Sequence, residues 1–292
     1  MSSPPTLAEL LETAIEAATA GGNHAMANRH RRGEVVQAYA HDIKLVLDVE
    51  CQRVVETLIA ARCPGHTFLG EEDQTELDGQ CLGTGRAAPD AETLQWIVDP
   101  IDGTVNFASG LPVWCCSVAV RRGETVLAGA VYAPMLNSLY AATIEGPATC
   151  NGEPIHVSNR RTLAESVVMT GMDKNLMPGV PPLACFERIA THCRKARVVG
   201  SAAVDLCWVA QGGADGYFEG SIYLWDIAAA GLIVRQAGGT TEVIAPREEP
   251  YQMSFIATNG HIHAPLKSIL PITQTVDRRL QTADCRLNYP IE

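Results

Sequence analysis

The sequence predicts a mixed fold in which helices pack against sheets, with an α+β half followed by an α/β half. Residues 117–120, 125–133 and 138–143 are short apolar segments separated by turn sequences, and this pattern predicts an antiparallel meander. From residue 167 onward, predicted strands alternate with predicted helices, as they do where helices cover a sheet. An Asn-Gly turn at 151–152 closes the first half.

The length of the chain favours two closely packed domains. A single compact domain of 292 residues would be large. We therefore predict an N-terminal domain over residues 1–150, with the antiparallel sheet and most of the acidic motifs described below. A C-terminal α/β domain over residues 151–292 is expected to complete the site.

The N-terminal half is predicted to begin with two helices. Thr6 opens a capping-box pattern ahead of an apolar helical face, and the glycine pair at 21–22 is expected to end this helix. Residues 23–42 are polar and predict a connection or a short hairpin. A second helix is expected to follow Asp48 and to stop at the Pro-Gly pair at 64–65.

The C-terminal half alternates between the two kinds of element. Strands are expected at 167–170, 196–199 and 217–218, and helices at 183–194, 203–210 and 226–236. Paired glycines follow two of these helices, at 212–213 and 238–239, and glycine is a common helix terminator.

Charge and hydropathy argue against nucleic-acid and membrane partners. The net charge is −11 and only four of the 22 basic residues are lysines, so no basic stripe is available for a nucleic-acid backbone. The longest apolar runs, such as residues 227–234, are too short to cross a bilayer. The first ten residues do not resemble a secretory signal, and a cytoplasmic location is expected.

The ten cysteines do not form a recognisable metal or disulfide pattern. No CxxC pair is present, and the eight histidines do not lie at zinc-ligand spacing from them. Free and mostly buried thiols in a reducing compartment are expected.

The segment from Trp96 to Thr104 carries the strongest chemical signal. Asp99 and Asp102 follow an apolar strand, and close-set carboxylates at a strand end are typical of sites that bind a hard cation through oxygen. Gly103 allows close backbone approach, and the amides after it could meet a phosphate. The structural alternative is an Asx turn with a purely local role.

Further acidic residues lie at the ends of other apolar elements. Glu71 and Glu72 follow a predicted strand, and the alternative to a functional role is that they are ordinary paired glutamates on the surface. Asp48 and Asp226 lie at predicted helix starts, and the alternative for them is a helix-capping aspartate. If these groups converge, their like charges require cations to offset them. All-oxygen ligands favour Mg²⁺, Mn²⁺ or Ca²⁺, and paired hard metals are the known solution for phosphate ester hydrolysis.

Together these motifs resemble the inositol monophosphatase family. The resemblance covers residues 40–245, with three separated motifs in the family's order. These motifs are Gly70-Glu71-Glu72, Asp99-Pro-Ile-Asp-Gly-Thr104 and Trp225-Asp226-Ile-Ala-Ala-Ala-Gly231. Further landmarks are Gly200-Ser-Ala-Ala203, Gly213-Ala-Asp215 and Phe218-Glu219.

The resemblance implies a layered αβαβα sandwich of the inositol monophosphatase and fructose-1,6-bisphosphatase type, usually a homodimer. It also implies two or three Mg²⁺ ions per site, for which Mn²⁺ can substitute, and inhibition by lithium. The implied metal ligands are Glu71, Asp99, the Ile101 carbonyl, Asp102 and Asp226. The implied phosphate-binding amides are those of Gly103 and Thr104. Asp48 and Thr104 are implied to orient the attacking water, and the substrate pocket is implied to include Gly200, Ser201, Ala202 and Glu219.

The segment before Asp48 departs from the family pattern. The family often has a threonine shortly before this aspartate, whereas the chain reads Asp42-Ile-Lys-Leu-Val-Leu-Asp48. The family's mobile loop usually carries a lysine near the metals, and Lys44 is the only nearby lysine. A third metal position is therefore the least defined part of the predicted site.

Several substrates remain open within the family, which handles inositol monophosphates, fructose 1,6-bisphosphate, histidinol phosphate and 3′-phosphoadenosine nucleotides. The scarcity of lysine favours a small monoester, with myo-inositol 1-phosphate as the first prediction. A histidinol phosphatase would need extra carboxylates, for which Asp173, Glu187 and Glu219 are candidates. The alternative of another class is a non-catalytic member that binds metal or a partner.

Overall fold

The computed structural model describes residues 4–38, 43–74, 76–77, 80–81, 92–172, 181, 183–246 and 251–271. The helices are α1 (Leu7–Asn28), α2 (Val46–Arg62), α3 (Thr104–Ser109), α4 (Ala184–His192), α5 (Ala202–Ala210), α6 (Leu224–Gln236) and α7 (His263–Ile269). None of these helices is long and apolar enough to cross a membrane.

The strands divide between a large sheet, a small sheet and two ribbons. The strands before residue 155 are β1 (Val35–Ala38), β2 (Ile43–Leu45), β3 (Thr67–Gly70), β4 (Glu76–Leu77), β5 (Gln80–Cys81), β6 (Leu94–Asp102), β7 (Cys115–Arg122), β8 (Thr125–Ala133), β9 (Ser138–Thr143), β10 (Thr149–Cys150) and β11 (Glu153–Pro154). The strands after it are β12 (Val167–Thr170), β13 (Lys195–Arg197), β14 (Gly216–Tyr223), β15 (Thr240–Pro246) and β16 (Gln252–Thr258).

The large sheet has seven strands in the order β11-β10-β9-β8-β7-β6-β3, and the small sheet has five in the order β13-β12-β14-β16-β15. The predicted meander is confirmed, because β7, β8 and β9 pair as antiparallel neighbours. The predicted Asn-Gly turn connects β10 and β11 beyond the meander, and Asn151 and Gly152 both have positive φ there. The ribbons are β1-β2 and β4-β5. A connection or hairpin was expected over residues 23–42, but residues 23–28 belong to α1, and the hairpin that starts with β1 is completed by β2 beyond residue 42.

Helices and sheets alternate as five layers. Apolar side chains of α1 and α2 pack on one face of the large sheet around Trp96. The other face packs against α5 and α6, which also contact the small sheet through residues such as Tyr217. The outer face of the small sheet is covered by α4 and α7, with Phe218 buried between them. The predicted αβαβα layering is confirmed.

The prediction that glycines at 21–22 end the first helix is wrong. The helix α1 continues to Asn28, and both glycines are buried within it. A Cβ on Gly21 would lie 2.8 Å from Cys116 Sγ and from Val55 Cγ2, and one on Gly22 would lie 2.6 Å from Tyr132 Cδ1. These glycines therefore allow the helix to lie close against the sheet and α2.

Two other predicted boundaries also differ from the structure. The helix α2 begins at Val46, so Asp48 lies inside its first turn and does not precede it. Asp99 and Asp102 were predicted to follow an apolar strand, but both lie within β6, which has an irregular register between these two residues where it pairs with β7. The predictions contained no elements corresponding to β15, β16 and α7.

Candidate active site

The site begins where two parallel strands of the large sheet end together. Gly70 of β3 pairs with Val98 of β6, so the turn that starts at Glu71 and the acidic end of β6 share one edge. The helix α6 packs against β6 on the inner face and presents Asp226 from its first turn. The topology thus brings together the three acidic motifs of the sequence.

Three carboxylates form the centre of this site. The ligand atoms of Asp99, Asp102 and Asp226 all lie within 4.8 Å of one another. Burial and then the charge of Glu71 raise the pKa of Asp99 and of Asp226 well above the usual range. The Oδ1 atom of Asp99 is buried and has no hydrogen-bond partner among the described residues. A group of like charges so close together requires a cation or shared protons.

Asp102 also connects the two halves of the chain. Its carboxylate accepts hydrogen bonds from the Ser201 hydroxyl at 2.6 Å, the Ala203 amide at 2.8 Å and the Ala202 amide at 3.1 Å. Burial raises the pKa of Asp102, while the bonds from Ser201 and Ala203 act in the opposite direction. The residue therefore caps the N-terminus of α5 and belongs to the carboxylate cluster.

Asp226 and Asp48 occupy the same position in their helices. Each lies at the third residue, and one carboxylate oxygen accepts from the amide before the helix: Asp226 from Tyr223 at 2.9 Å, and Asp48 from Leu45 at 2.7 Å. The Oδ1 atom of Asp48 is buried without a hydrogen-bond partner among the described residues. Burial and then the charge of Glu72 raise the pKa of Asp48. Both aspartates therefore do cap their helices, as the structural alternative predicted. Capping uses one carboxylate oxygen of each residue, and the other oxygen can serve a second function.

The Glu71 turn is held by a buried glutamine. Gln52 of α2 accepts from the Glu72 amide at 2.9 Å and donates to Asp73 at 3.0 Å. A Cβ on Gly70 would lie 2.2 Å from Gln52 Oε1, so glycine is required for this contact. The Lys44 ammonium lies 2.7 Å from Glu72 and 4.0 Å from Glu71. The positively charged side chain of Lys44 therefore lies next to the acidic cluster.

The Asp-Gly-Thr turn faces the loop before α5. Gly103 has φ +91°, and a Cβ there would lie 3.1 Å from both the Gly200 carbonyl and Ser201 Cβ. The Thr104 hydroxyl donates to the Ile101 carbonyl at 2.9 Å. The Asn106 side chain donates to the Val199 carbonyl at 2.8 Å and to Gly200 at 3.3 Å. Asn106 thereby fixes the loop of one half of the chain against the turn of the other.

The acidic cluster and the Asp-Gly-Thr turn lie around one cavity of about 390 Å³. Every residue of the predicted site except Asp48 lines it, and its described lining contains no lysine, arginine or histidine. The lining residues predicted from the sequence are Glu71, Asp99, Ile101, Asp102, Gly103, Thr104, Gly200, Ser201, Ala202, Glu219 and Asp226. The cavity has the size of a small-metabolite site.

Other acidic residues differ from the predictions. Glu187 is exposed on α4, which covers the outer face of the small sheet, so it does not belong to the cavity. Asp173 lies outside the described residues. Asp205 of α5 lines the cavity and was not predicted. Neither Gln52 nor Asn106 was predicted, because a single polar residue in an amphipathic helix has no distinguishing pattern.

The donor set fits a divalent metal. The side-chain ligands are all carboxylates, and Asp99 presents a buried oxygen for which the described residues supply no hydrogen bond. Such all-oxygen sites suit Mg²⁺, Mn²⁺ or Ca²⁺. Asp99, Asp102 and Asp226, with Glu71 at the edge of the cluster, are the residues that would hold these ions.

The layered fold and the acidic cavity define a protein of the αβαβα class with a candidate divalent-metal centre. The profile of the inositol monophosphatase family matches residues 6–276. The chain therefore belongs to the inositol monophosphatase family.

Individual relatives agree with this assignment. Inositol-1-monophosphatase of Synechocystis is 33% identical over 279 residues, which cover 93% of this chain and 92% of the relative. The Nus factor SuhB of Pasteurella multocida is 37% identical over 236 residues, covering 79% of this chain and 83% of the relative. The structure of inositol monophosphatase from Anabaena matches with a TM-score of 0.76 at 28% identity, covering 92% of this chain and 99% of that one.

Proposed function

We propose that this chain is a Mg²⁺-dependent phosphatase that hydrolyses a small phosphate monoester, with myo-inositol 1-phosphate as the first substrate. The observation that carries the proposal is the cluster of Asp99, Asp102 and Asp226 within 4.8 Å in a cavity of about 390 Å³. The relative from Synechocystis named inositol-1-monophosphatase supports the choice of substrate.

Bound divalent cations would offset the negative charge of the phosphate and acidify the attacking water. Phosphoryl transfer passes through a loose transition state, so positioning and charge stabilisation contribute more than a strong base does. In the proposed arrangement, the amides of Gly103 and Thr104 bind the phosphate. The loop that contains Gly200 is held against this turn by Asn106, which supports their alignment.

The water is proposed to be oriented by Thr104 and Asp48. The Thr104 hydroxyl now donates to the Ile101 carbonyl, and the buried Asp48 Oδ1 atom has no partner among the described residues. In the proposed active state, the Thr104 hydroxyl donates to Asp48 instead of to the Ile101 carbonyl and accepts from the water. This arrangement aims a lone pair of the water at phosphorus while the proton passes toward the hydroxyl and carboxylate.

The same proposal includes several properties that the resemblance implies. Mg²⁺ is the expected ion, Mn²⁺ can replace it, and Li⁺ is expected to inhibit turnover. A homodimer is expected, and light scattering of the purified protein measures this directly. A cytoplasmic location accords with eight cysteines that are free thiols in the described part of the chain.

A second candidate function is a non-catalytic binding role. The Nus factor SuhB relative motivates it, since that name describes a factor and not an enzyme. Against it stands the retention of Glu71, Asp99, Asp102 and Asp226 around one cavity. The net charge of −11 also disfavours direct contact with a nucleic-acid backbone.

The decisive experiment compares phosphate release across a panel of phosphate monoesters. The panel includes myo-inositol 1-phosphate, histidinol phosphate, fructose 1,6-bisphosphate and a 3′-phosphoadenosine nucleotide, each measured as kcat/KM with Mg²⁺. Asp99→Asn, purified identically, controls for contaminating phosphatases. The proposal predicts release from at least one monoester by the wild type and a large loss in the variant. Equal, trace release by both proteins from every ester would favour the binding role.

A further inference from the structure

Asp205 is a buried carboxylate for which the site described above has no use. It lies on α5 with 2% of its surface exposed, and it lines the cavity. Its Oδ1 atom is one of three buried side-chain oxygens without a hydrogen-bond partner among the described residues; the other two belong to Asp48 and Asp99. A buried carboxylate oxygen without a partner is unfavourable for folding, so its presence requires an explanation.

Helix capping does not explain Asp205. The first amides of α5, those of Ala202 and Ala203, already donate to Asp102. The Asp205 amide donates to the Ser201 carbonyl in the ordinary helical manner. An aspartate in the first turn does interact favourably with the helix dipole, but an exposed side chain would gain the same interaction without being buried.

A second carboxylate, that of Glu219, faces the same cavity. It accepts a hydrogen bond from the Tyr217 hydroxyl. A Cβ on Gly171 would lie 2.1 Å from Glu219 Oε1, so glycine at this position leaves the room that the carboxylate occupies. The described lining of the cavity contains no basic side chain to neutralise either acid.

We propose that Asp205 selects the non-phosphate part of the substrate, next to the Glu219 that the resemblance already implies in the substrate pocket, by accepting hydrogen bonds from it and by repelling a second anionic group. This inference rests on the proposed phosphatase function and specifies its substrate class. Carboxylates accept hydrogen bonds from hydroxyl or ammonium groups and disfavour phosphates or carboxylates brought next to them. Substrates are therefore singly phosphorylated molecules whose remaining part donates hydrogen bonds, either a polyol or an amino alcohol.

The test measures kcat/KM for the wild type and Asp205→Asn on four esters in the presence of Mg²⁺. These esters are myo-inositol 1-phosphate, histidinol phosphate, fructose 1,6-bisphosphate and p-nitrophenyl phosphate, the last of which has no donor group. We expect Asp205→Asn to lose at least about tenfold more kcat/KM on a donor-bearing monoester than on p-nitrophenyl phosphate, as removal of a buried hydrogen-bond partner does. If Asp205 binds an ammonium group, kcat/KM should fall most for histidinol phosphate. If it binds hydroxyl groups, kcat/KM should fall most for myo-inositol 1-phosphate.

The same variant should gain activity on fructose 1,6-bisphosphate relative to the wild type, because a repelling charge is removed. Damage to the fold cannot produce such a gain. Asp205→Ser, which also removes the charge and is smaller, carries the test if Asp205→Asn does not fold. Proportional changes on all four esters would overturn the role of Asp205. Absence of turnover by the wild type on every ester would instead overturn the proposed function.

Discussion

Asp99 is the most deeply buried member of the three-carboxylate cluster. It is 1% exposed, and three acidic neighbours, Glu71, Asp102 and Asp226, raise its pKa after burial itself. Asp99→Asn removes one charge without changing shape. We expect it to weaken Mg²⁺ binding by at least about tenfold, the lower bound found even for supporting residues of metal sites. Isothermal titration with Mg²⁺ or Mn²⁺ measures this effect.

A matched control for this change is Asp215→Asn. Asp215 is also fully buried, but it accepts from the Val167 amide at 2.7 Å and from Arg160 at 2.8 Å, and it does not line the cavity. This control should lower thermal stability while leaving the Mg²⁺ affinity intact. An unchanged affinity in Asp99→Asn would remove Asp99 from the metal site.

Thr104 and Asp48 are proposed to act as one relay. Each single change, Thr104→Ala or Asp48→Asn, should lower kcat by roughly 10²-fold, the scale of lost general-base assistance. Because groups that act as a unit are not additive, the double variant should be little slower than the slower single variant. Steady-state rates at saturating Mg²⁺ complete this double-mutant cycle.

A control for the threonine change is Thr57→Ala, since the exposed Thr57 hydroxyl also donates to a carbonyl, that of Arg53 at 2.7 Å. It should leave kcat unchanged. Fully multiplicative losses in the Thr104 and Asp48 cycle would show that the two residues act independently.

At the scale of elements, the packing of α1 depends on its internal glycines. Gly22→Ala would place a Cβ 2.6 Å from Tyr132, so the ring or the helix must move. Overpacking of this kind costs about 1–3 kcal/mol, more than the gain of up to ~1 kcal/mol in helix propensity. Chemical denaturation should show a lower free energy of unfolding with the Mg²⁺ affinity unchanged.

Gly33→Ala is the control for this prediction, because nothing lies within 4 Å of a Cβ built at Gly33. A Gly22→Ala variant as stable as the wild type would show that close packing does not require these glycines.

The same residues explain why the end of α1 was predicted wrongly. Paired glycines end many helices, and only the tertiary contact with Val55 and Cys116 distinguishes a packing glycine from a terminating one.

Elements with a clear local sequence pattern were predicted well, and three elements without one, β15, β16 and α7, were not predicted. The meander was predicted because alternating apolar segments and turn residues are adjacent in the chain. The strand β16 pairs with both β14 and β15, and α7 buries Leu266 against the small sheet. Of these two pairings, only that of β16 with β14 spans a long stretch of chain, and β15 and α7 were missed because their short segments show no clear apolar periodicity.

At the scale of the whole molecule, metal-free stability should depend on pH. The pKa values of Asp48, Asp99, Asp205 and Asp226 are all raised by burial in the folded chain. The folded state therefore binds more protons than the unfolded state, whose aspartates titrate near ~3.9. The stability that these groups contribute is complete below that value and is lost as pH rises through their folded pKa values.

Calorimetry in a chelating buffer should accordingly show Tm falling between pH 5 and pH 8. Burial lowers the pKa of His66, and this single group acts in the opposite direction within that window. The partly buried Glu50 has a lowered pKa, and its effect lies at more acidic pH. Because bound metal needs deprotonated ligands, the stabilisation by Mg²⁺ should grow with pH. A Tm that rises steadily with pH without metal would contradict the raised carboxylate pKa values.

The molecule as a whole shows why the site was largely predictable. Each predicted ligand lies at the end of an apolar element, and the parallel pairing of β3 with β6 places two of these ends on one edge. Asp205 was missed because it lies inside the predicted helix 203–210 and not at the end of an apolar element, so nothing local distinguishes it. The division into domains at residue 150 remains a prediction, although the large sheet precedes residue 155 and the small sheet follows residue 166.

The most direct test of the central claim is the Mg²⁺ dependence of phosphate release from myo-inositol 1-phosphate. The wild-type protein is first stripped of metal with a chelator and then titrated with Mg²⁺. The carboxylate cluster predicts no release without metal and a saturable rise with Mg²⁺, displaced to higher concentration in Asp99→Asn. Release that proceeds at full rate in the chelator, or that responds identically in the variant, would contradict the account.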